Sequence, residues 1–296
     1  MDLKNKLLII LFIIMKKIAL ITGGSGFLGK KLIEKLIDLN YKVRIVARNE
    51  SNLLIIQNKF NEVEIIPGDI SNELTAFQAC KGVHCIFHLA AFKHVRLAET
   101  YALECINTNV IGTMNILKQT LNNPTIEYII GISTDKVAKV TGTYGATKFL
   151  MESLFKQYEL INKNVKYRLV RYGNVLYSTG SVLPIWRDKL LKGEEIIITD
   201  KNITRFYWTI DEAIKLIFDC LEKSNSCEPY LPIMKSMILG DLLFAMTKKY
   251  LPVDKELIVK EIGIQPGENL HEFLLMDGYS SNDVEKYSVD EIYEMI

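Results

Sequence analysis

A short apolar run, Ile18–Ile21, leads directly into Thr22-Gly23-Gly24-Ser25-Gly26-Phe27-Leu28-Gly29, and Leu32, Ile33, Leu36 and Ile37 then recur at helical spacing. Strand, glycine loop and amphipathic helix in that order leave few folds open. Glycines let the backbone approach a pyrophosphate, and the helix N-terminus offers free N–H groups and the positive end of its dipole. Glycine turns are common, so the position after an opening strand gives the 23-26-29 spacing its weight. Gly23, Ser25, Gly26, Phe27, Leu28 and Gly29 are therefore expected to hold a dinucleotide.

Further apolar runs alternate with helical stretches: Tyr41–Ala47, Val63–Ile66, Val83–Leu89, Ile126–Ile132 and Val165–Tyr172. Such alternation predicts an α/β fold, a Rossmann-type doubly wound parallel sheet. A long helix is expected over about Ala98–Leu121. From about Gly180 the alternation loosens into short segments, read as a smaller C-terminal substrate-binding lobe. The expected division is residues 1–14 as an N-terminal appendage, 15–178 as the dinucleotide-binding domain and 179–296 as mainly the substrate lobe. Leu7–Met15 is strongly apolar but far shorter than the roughly 20 residues a membrane helix needs, so no membrane span is expected. The alternatives for this run are a peripheral anchor or an oligomer contact.

Net charge is +1, from 36 basic and 35 acidic residues, which gives no bulk case for nucleic acid. Five cysteines without a CxxC pair read as reduced and cytoplasmic. His84-Cys85 and His88 lack a second ligand cluster, so no metal is expected.

The second strand ends in Arg48-Asn49, where NAD-binding folds usually carry an acidic residue for the ribose hydroxyl. A cation there suits the extra phosphate of NADP, which is expected over NAD; otherwise Arg48 is a solvated surface residue. Asp69-Ile70 ends the third strand, beside the adenine position or as a cap for the next helix. At the fourth, Leu89, Ala90 and Ala91 let backbone come close to the cofactor. Asn109, inside a helix, either supports the active-site strand or is a satisfied core amide. The sixth strand ends at Tyr172.

The fifth strand leads to Ser133-Thr134-Asp135-Lys136, followed by Tyr144-Gly145-Ala146-Thr147-Lys148. Of fourteen tyrosines, only Tyr144 has a lysine four positions later, one turn along the same helix face. Ligands in such sheets bind at the carboxyl ends of strands, which turns a common surface pairing into a catalytic expectation. Asp135 and Lys136 could form a structural ion pair; adjacent residues on an extended loop point apart, which argues against it.

These pieces resemble the extended short-chain dehydrogenase/reductases, and within them the soluble, 5-inverting UDP-N-acetylglucosamine 4,6-dehydratases of polysaccharide biosynthesis. The resemblance rests on TGGSGFLG, Ala90–Val95, Asn107–Thr113, STDK, YGATK, Val170–Val175, TRF at Thr204-Arg205-Phe206 and Gln265–Glu272. Lys139-Val140-Thr141 departs from an Asn-Pro turn frequent in relatives, and Arg96 from a proline. The resemblance implies a lyase with tightly bound NADP and a UDP-sugar substrate, and a homo-oligomer, dimer or hexamer. It implies that Tyr144 takes the 4-OH proton and Lys148 aids Tyr144 and holds the nicotinamide ribose. Thr134 bonds the 4-oxygen, Lys136 is the base at C5, with its pKa lowered by burial, and Asp135 is the acid at the 6-OH. Lys93, Asn174, Arg205 and Glu268 are implied as UDP-sugar contacts. A retaining dehydratase, an epimerase or reductase of the same superfamily, and a non-catalytic NADP-binding regulator are the alternatives.

Overall fold

The computed structural model describes residues 16–296; the expected appendage, residues 1–14, lies outside them. Six parallel strands carry the expected runs: β1 (Ile18–Thr22), β2 (Lys42–Ala47), β3 (Glu64–Pro67), β4 (Cys85–His88), β5 (Tyr128–Thr134) and β6 (Lys166–Tyr172). Their order is 3-2-1-4-5-6, the dinucleotide-binding arrangement whose crevice opens where the order reverses, between β1 and β4. The register sets Thr22 beside both Val46 and His88. The strands read as near-continuous apolar runs because helices cover both faces.

α1 (Phe27–Asp38) buries Gly29, Leu32, Ile33 and Leu36 against the sheet. α2 (Glu50–Lys59) and α3 (Glu73–Cys80) begin at the caps Asn49 and Asn72, which accept from Asn52 N and Thr75 N. The helix expected over Ala98–Leu121 is instead broken. α4 (Val95–Thr100) ends at Tyr101, whose backbone (φ −118°, ψ 57°) is not helical. α5 (Ala102–Ile106) follows, then a wide π-turn at Asn107–Ile111 and α6 (Gly112–Asn122). A 3-10 turn, Asp135–Val137, prolongs β5, and α7 (Thr143–Ile161) returns along the sheet.

Beyond β6 the chain builds a smaller lobe around β7 (Asn174–Val175), α8 (Val182–Lys192), β8 (Ile196–Ile198) and β9 (Thr204–Trp208). α9 (Ile210–Lys223) and β10 (Pro229–Tyr230) go back to the main sheet. β10 pairs with β6, and Ala213, Ile217 and Cys220 of α9 join the core of α1 and β1. β11 (Ser236–Ile238), α10 (Leu239–Tyr250), β12 (Val259–Glu261) and α11 (Val289–Met295) complete the lobe. Its separate core centres on Leu183, Trp186, Met237, Leu242 and Ile292. Among the described residues no helix is long and apolar enough to cross a membrane.

Candidate active site

A cavity of about 540 Å³ runs from the glycine loop across the carboxyl ends of β1, β4 and β5 to the smaller lobe. Gly23 turns the chain at its floor with φ +68°, and a Cβ there would sit 2.9 Å from the Ala90 backbone. A Cβ on Gly26 would meet protein only at Gly23 O; its remaining space belongs to the cavity. Phe27, Leu28 and Gly29 line the cavity too, and first-turn N–H groups have no acceptor in their own helix. An open cradle with free donors fits the pyrophosphate of a dinucleotide. Ser25, Arg48, Asp69, Ile70, Leu89, Ala90, Ala91, Tyr144, Lys148 and Tyr172 also line the cavity. Asp69 is shared: Oδ1 accepts from Ser71 N at 2.8 Å and Oδ2 lies 3.6 Å from Arg48 Nη1. Tyr172 stacks on Trp208, with ring centroids 6.3 Å apart.

Asn109 is an exception. It sits behind the wall, where Oδ1 accepts from Phe92 N (2.7 Å) and Nδ2 donates to Thr147 Oγ1 (2.9 Å). It braces the segment after β4 against α7 and does not face the cofactor space. His88 is likewise consumed internally, by Thr22 and Thr113, each at 2.9 Å, and burial pushes its pKa down to about 3.

Thr134, Lys136, Tyr144 and Lys148 converge on the cavity. Lys148 is buried; Nζ donates to Ile132 O at 2.5 Å, and desolvation lowers its pKa to about 8 while Glu152 and Cys105 pull the other way. Burial raises Tyr144 to about 12, with Lys136 and the Thr134 hydroxyl opposing. Thr134 Oγ1 donates to Asp135 Oδ1 at 2.9 Å.

Three expectations about the Asp-Lys step are corrected. The segment is a 3-10 turn, not an extended loop, so the side chains meet: Lys136 Nζ lies 3.0 Å from Asp135 Oδ1. Nor is the Lys136 pKa lowered. Desolvation does act that way, but Asp135 and Glu272 together outweigh it and the pKa rises. Burial also raises Asp135, against the pull of Lys136. Its side chain is 1% exposed, behind Lys136, so Asp135, expected as an acid at the substrate, does not itself line the cavity, and Oδ2 has no partner.

Of the expected sugar contacts, Lys93 and Asn174 line the cavity. Lys93 Nζ donates to Thr179 O at 2.8 Å, and the cavity wall lowers its pKa. Arg205 and Glu268 do not reach it. Arg205 is buried, donating to the Thr204 and Leu270 carbonyls, with Nε 3.8 Å from Glu272 Oε1. Glu268 Oε2 accepts from Gln265 N within its own turn. Sequence reasoning missed Thr108, His94 and Ser178–Ser181, which also line the cavity. It also missed Glu272, although Gln265–Glu272 ends on that residue.

A family model described as Polysaccharide biosynthesis protein matches residues 19–295. A UDP-N-acetylglucosamine 4,6-dehydratase (inverting) of Campylobacter jejuni is 33% identical, with 92% of this chain and 82% of that protein covered. A UDP-glucose 4-epimerase of Rickettsia rickettsii is 29% identical, with 88% and 77% covered. The solved structure of Pen from Bacillus thuringiensis matches with a TM-score of 0.89 at 27% identity, over 95% of this chain and 96% of that one.

Proposed function

The chain belongs to the polysaccharide biosynthesis protein family of the short-chain dehydrogenase/reductases, and from that premise we propose that it is an NADP-dependent UDP-N-acetylglucosamine 4,6-dehydratase that inverts C5. The observation that carries the reading is Lys136, hydrogen-bonded to Asp135 behind it and lining the same cavity as Tyr144 and Lys148. A plain 4-epimerase has no use for an acid–base pair at C5 and C6. The C. jejuni relative's description supports the same choice, and Arg48 at the end of β2 supports NADP.

Bound NADP+ supplies the hydride acceptor for C4 and, once reduced, the donor for C6. Tyr144 Oη takes the 4-OH proton; a buried phenol near 12 needs cationic help, and Lys136 and Lys148 are the cations at hand. Lys148 Nζ bonds the ribose from beside Ile132 O, and Lys93 and Asn174 meet the UDP-sugar. The resulting 4-ketone acidifies the C5 hydrogen. Moving one proton along the 3.0 Å bond from Lys136 Nζ to Asp135 Oδ1 turns ammonium and carboxylate into amine and carboxylic acid. Burial lowers the cost of that neutral form, against the pull of Asp135 and Glu272 toward the ammonium. The amine removes the C5 proton; Lys136 Nζ, the member of the pair that lines the cavity, passes a proton to the departing 6-hydroxyl, which leaves as water, and Asp135 gives its own proton back to Nζ. The pair thereby regains its ionic form. Hydride return to C6 and uptake of a solvent proton on the opposite face of C5 would complete the inversion, and the proton taken by Tyr144 Oη from the 4-OH would pass to solvent.

In this reading residues 179–296 meet the substrate at Thr179–Ser181, where the smaller lobe bounds the cavity, and the chain works as a homo-oligomer. Exposed Leu97, Leu103, Phe149 and Leu150 on the neighbouring helices α4, α5 and α7, with Tyr101 between α4 and α5, support the second point.

The test is incubation with UDP-N-acetylglucosamine in deuterium oxide. Loss of water with deuterium at C5 is expected, and Lys136→Ala should retain hydride exchange while losing dehydration. A product of unchanged mass and inverted C4 would replace this reading with epimerisation.

A further inference from the structure

Lys136 does not face one carboxylate but two. The second, Glu272 Oε1, lies 3.3 Å from Lys136 Nζ and comes from the turn between β12 and α11, on the smaller lobe. We propose that Glu272 is a positioning residue that holds the Lys136 ammonium in a fork against Asp135, making the C-terminal turn part of the acid–base machinery. The proposal rests on the dehydratase reading for its catalytic meaning, but not for its geometry.

Three features separate Glu272 from an ordinary buried ion-pair member. First, its backbone is fixed: Glu272 N donates to Ser281 Oγ (2.9 Å), Ser281 N donates to Glu272 O (2.7 Å), and Ser281 Oγ donates to Thr204 O (3.0 Å). Second, Oε2 accepts from Asn269 Nδ2 at 3.2 Å, whereas buried Oε1 is met only by cations, Lys136 and Arg205, without a directed hydrogen bond. With only these two cations beside it, the oxygen is oriented by charge attraction and not by a directed bond. Third, the turn also grips the loop that follows Lys136. Asn269 Nδ2 donates to Lys139 O at 3.5 Å, and Lys139 Nζ stands 3.6 Å over the Phe273 ring.

The charged and titratable groups around Lys136 are Asp135 on its own turn, Glu272 and Arg205 from the smaller lobe, Tyr144 on α7 and Tyr207 on β9. Asp135 and Glu272 favour the ammonium; burial and Arg205 oppose it. Removing the Glu272 charge leaves the opposing forces with a single counterweight, so Lys136 should lose its proton at lower pH.

The test measures Lys136 itself and not turnover alone. The pH dependence of acetic anhydride acylation at Lys136, read by peptide mass spectrometry, is compared in the full-length wild type and in Glu272→Gln, which keeps the Asn269 bond and the side-chain volume. The midpoint is expected to fall by about 1–3 pH units, and the alkaline limb of kcat, where the pair loses its shared proton, should move in the same direction. Glu272→Asp, with its charge retained but drawn back, should fall between the two. An unchanged midpoint in folded Glu272→Gln overturns the proposal. If that variant does not fold, Glu272→Asp decides alone: a midpoint equal to wild type overturns it. If the midpoint shifts in a protein that dehydrates no UDP-sugar, Glu272 keeps its role at Lys136 and the dehydratase reading is what fails.

Discussion

Arg48 and Asp69 close the far end of the cavity as an ion pair, with Nη1 3.6 Å from Oδ2. Arg48 is exposed and its carboxylate partner already holds Ser71 N, so the guanidinium is only partly engaged and can turn to a 2′-phosphate. Hydrogen bonds to charged groups contribute about 1.5–3 kcal/mol. Arg48→Ala should therefore weaken NADP about tenfold or more and NAD far less. Asp69→Asn, which frees the cation while preserving the acceptor for Ser71, should raise the preference for NADP. Calorimetric titration of each protein with both dinucleotides checks this; equal losses for the two would remove Arg48 from phosphate recognition.

Lys148 is expected to make the unliganded protein less stable than it need be. Its pKa falls from the ordinary 10.5 to about 8 on folding, so between those values the unfolded chain binds more protons than the folded one. Stability then rises as pH climbs from about 8 to 10.5, and below 8 the penalty is present in full. Lys148→Met removes the buried charge but also the donor to Ile132 O. The net gain should be about 1–3 kcal/mol at pH 7, with catalytic activity lost. Urea unfolding at pH 7 and pH 10 measures both effects. A variant no more stable than wild type at pH 7 would contradict the account.

The glycine loop and the six strands were legible because their signals are local: apolar runs buried on both faces, and glycines where backbone must come close. The end of β5 was not. Polar Ser133 and Thr134 look like loop, yet they stay in the strand, paired with Arg171 and Tyr172 of β6, and Glu152 and Asp135 accept their hydroxyls. The Asp135–Lys136 contact depends on a 3-10 turn that apolar periodicity does not signal. Glu272, Arg205, Glu268 and Asn109 were hardest, since which acid or amide faces the cleft is decided by how a distant turn docks. The motif Gln265–Glu272 pointed to the right turn and the wrong glutamate.

Gly145 on α7 packs directly against the turn that carries Lys136. A Cβ at this position would fall 2.6 Å from Lys136 O, a backbone atom that cannot swing aside. Gly145→Ala must push α7 and the 3-10 turn apart, which separates Tyr144 from Lys136. Overpacking of this kind costs about 1–3 kcal/mol of stability. Misplacement by about 1 Å can cost about 100-fold in rate. The expected signature is a folded protein with a modestly lower melting temperature and a kcat reduced by far more than KM changes. Full kcat would show that the Tyr144–Lys136 spacing is not critical.

The most severe destabilisation should come from a pair outside the cavity. Arg171 on β6 donates to Glu152 on α7 through both Nε (3.1 Å) and Nη2 (2.6 Å), and its Nη1 donates to Leu274 O (2.5 Å) in the smaller lobe. Glu152 Oε1 also accepts from Ser133 Oγ at 2.5 Å. One buried pair thus ties together the strand before the Asp-Lys turn, the Tyr144 helix and the end of the Glu272 turn. Removing one partner of such a pair leaves an uncompensated buried charge, at about 3–5 kcal/mol. Glu152→Ala should lower the urea midpoint accordingly and remove a negative charge that raises the Lys148 pKa. The double substitution Glu152→Met with Arg171→Leu should recover much of the stability, because no charge is then stranded. Equal destabilisation by the single and double variants would mean that packing, rather than the orphaned guanidinium, sets the loss.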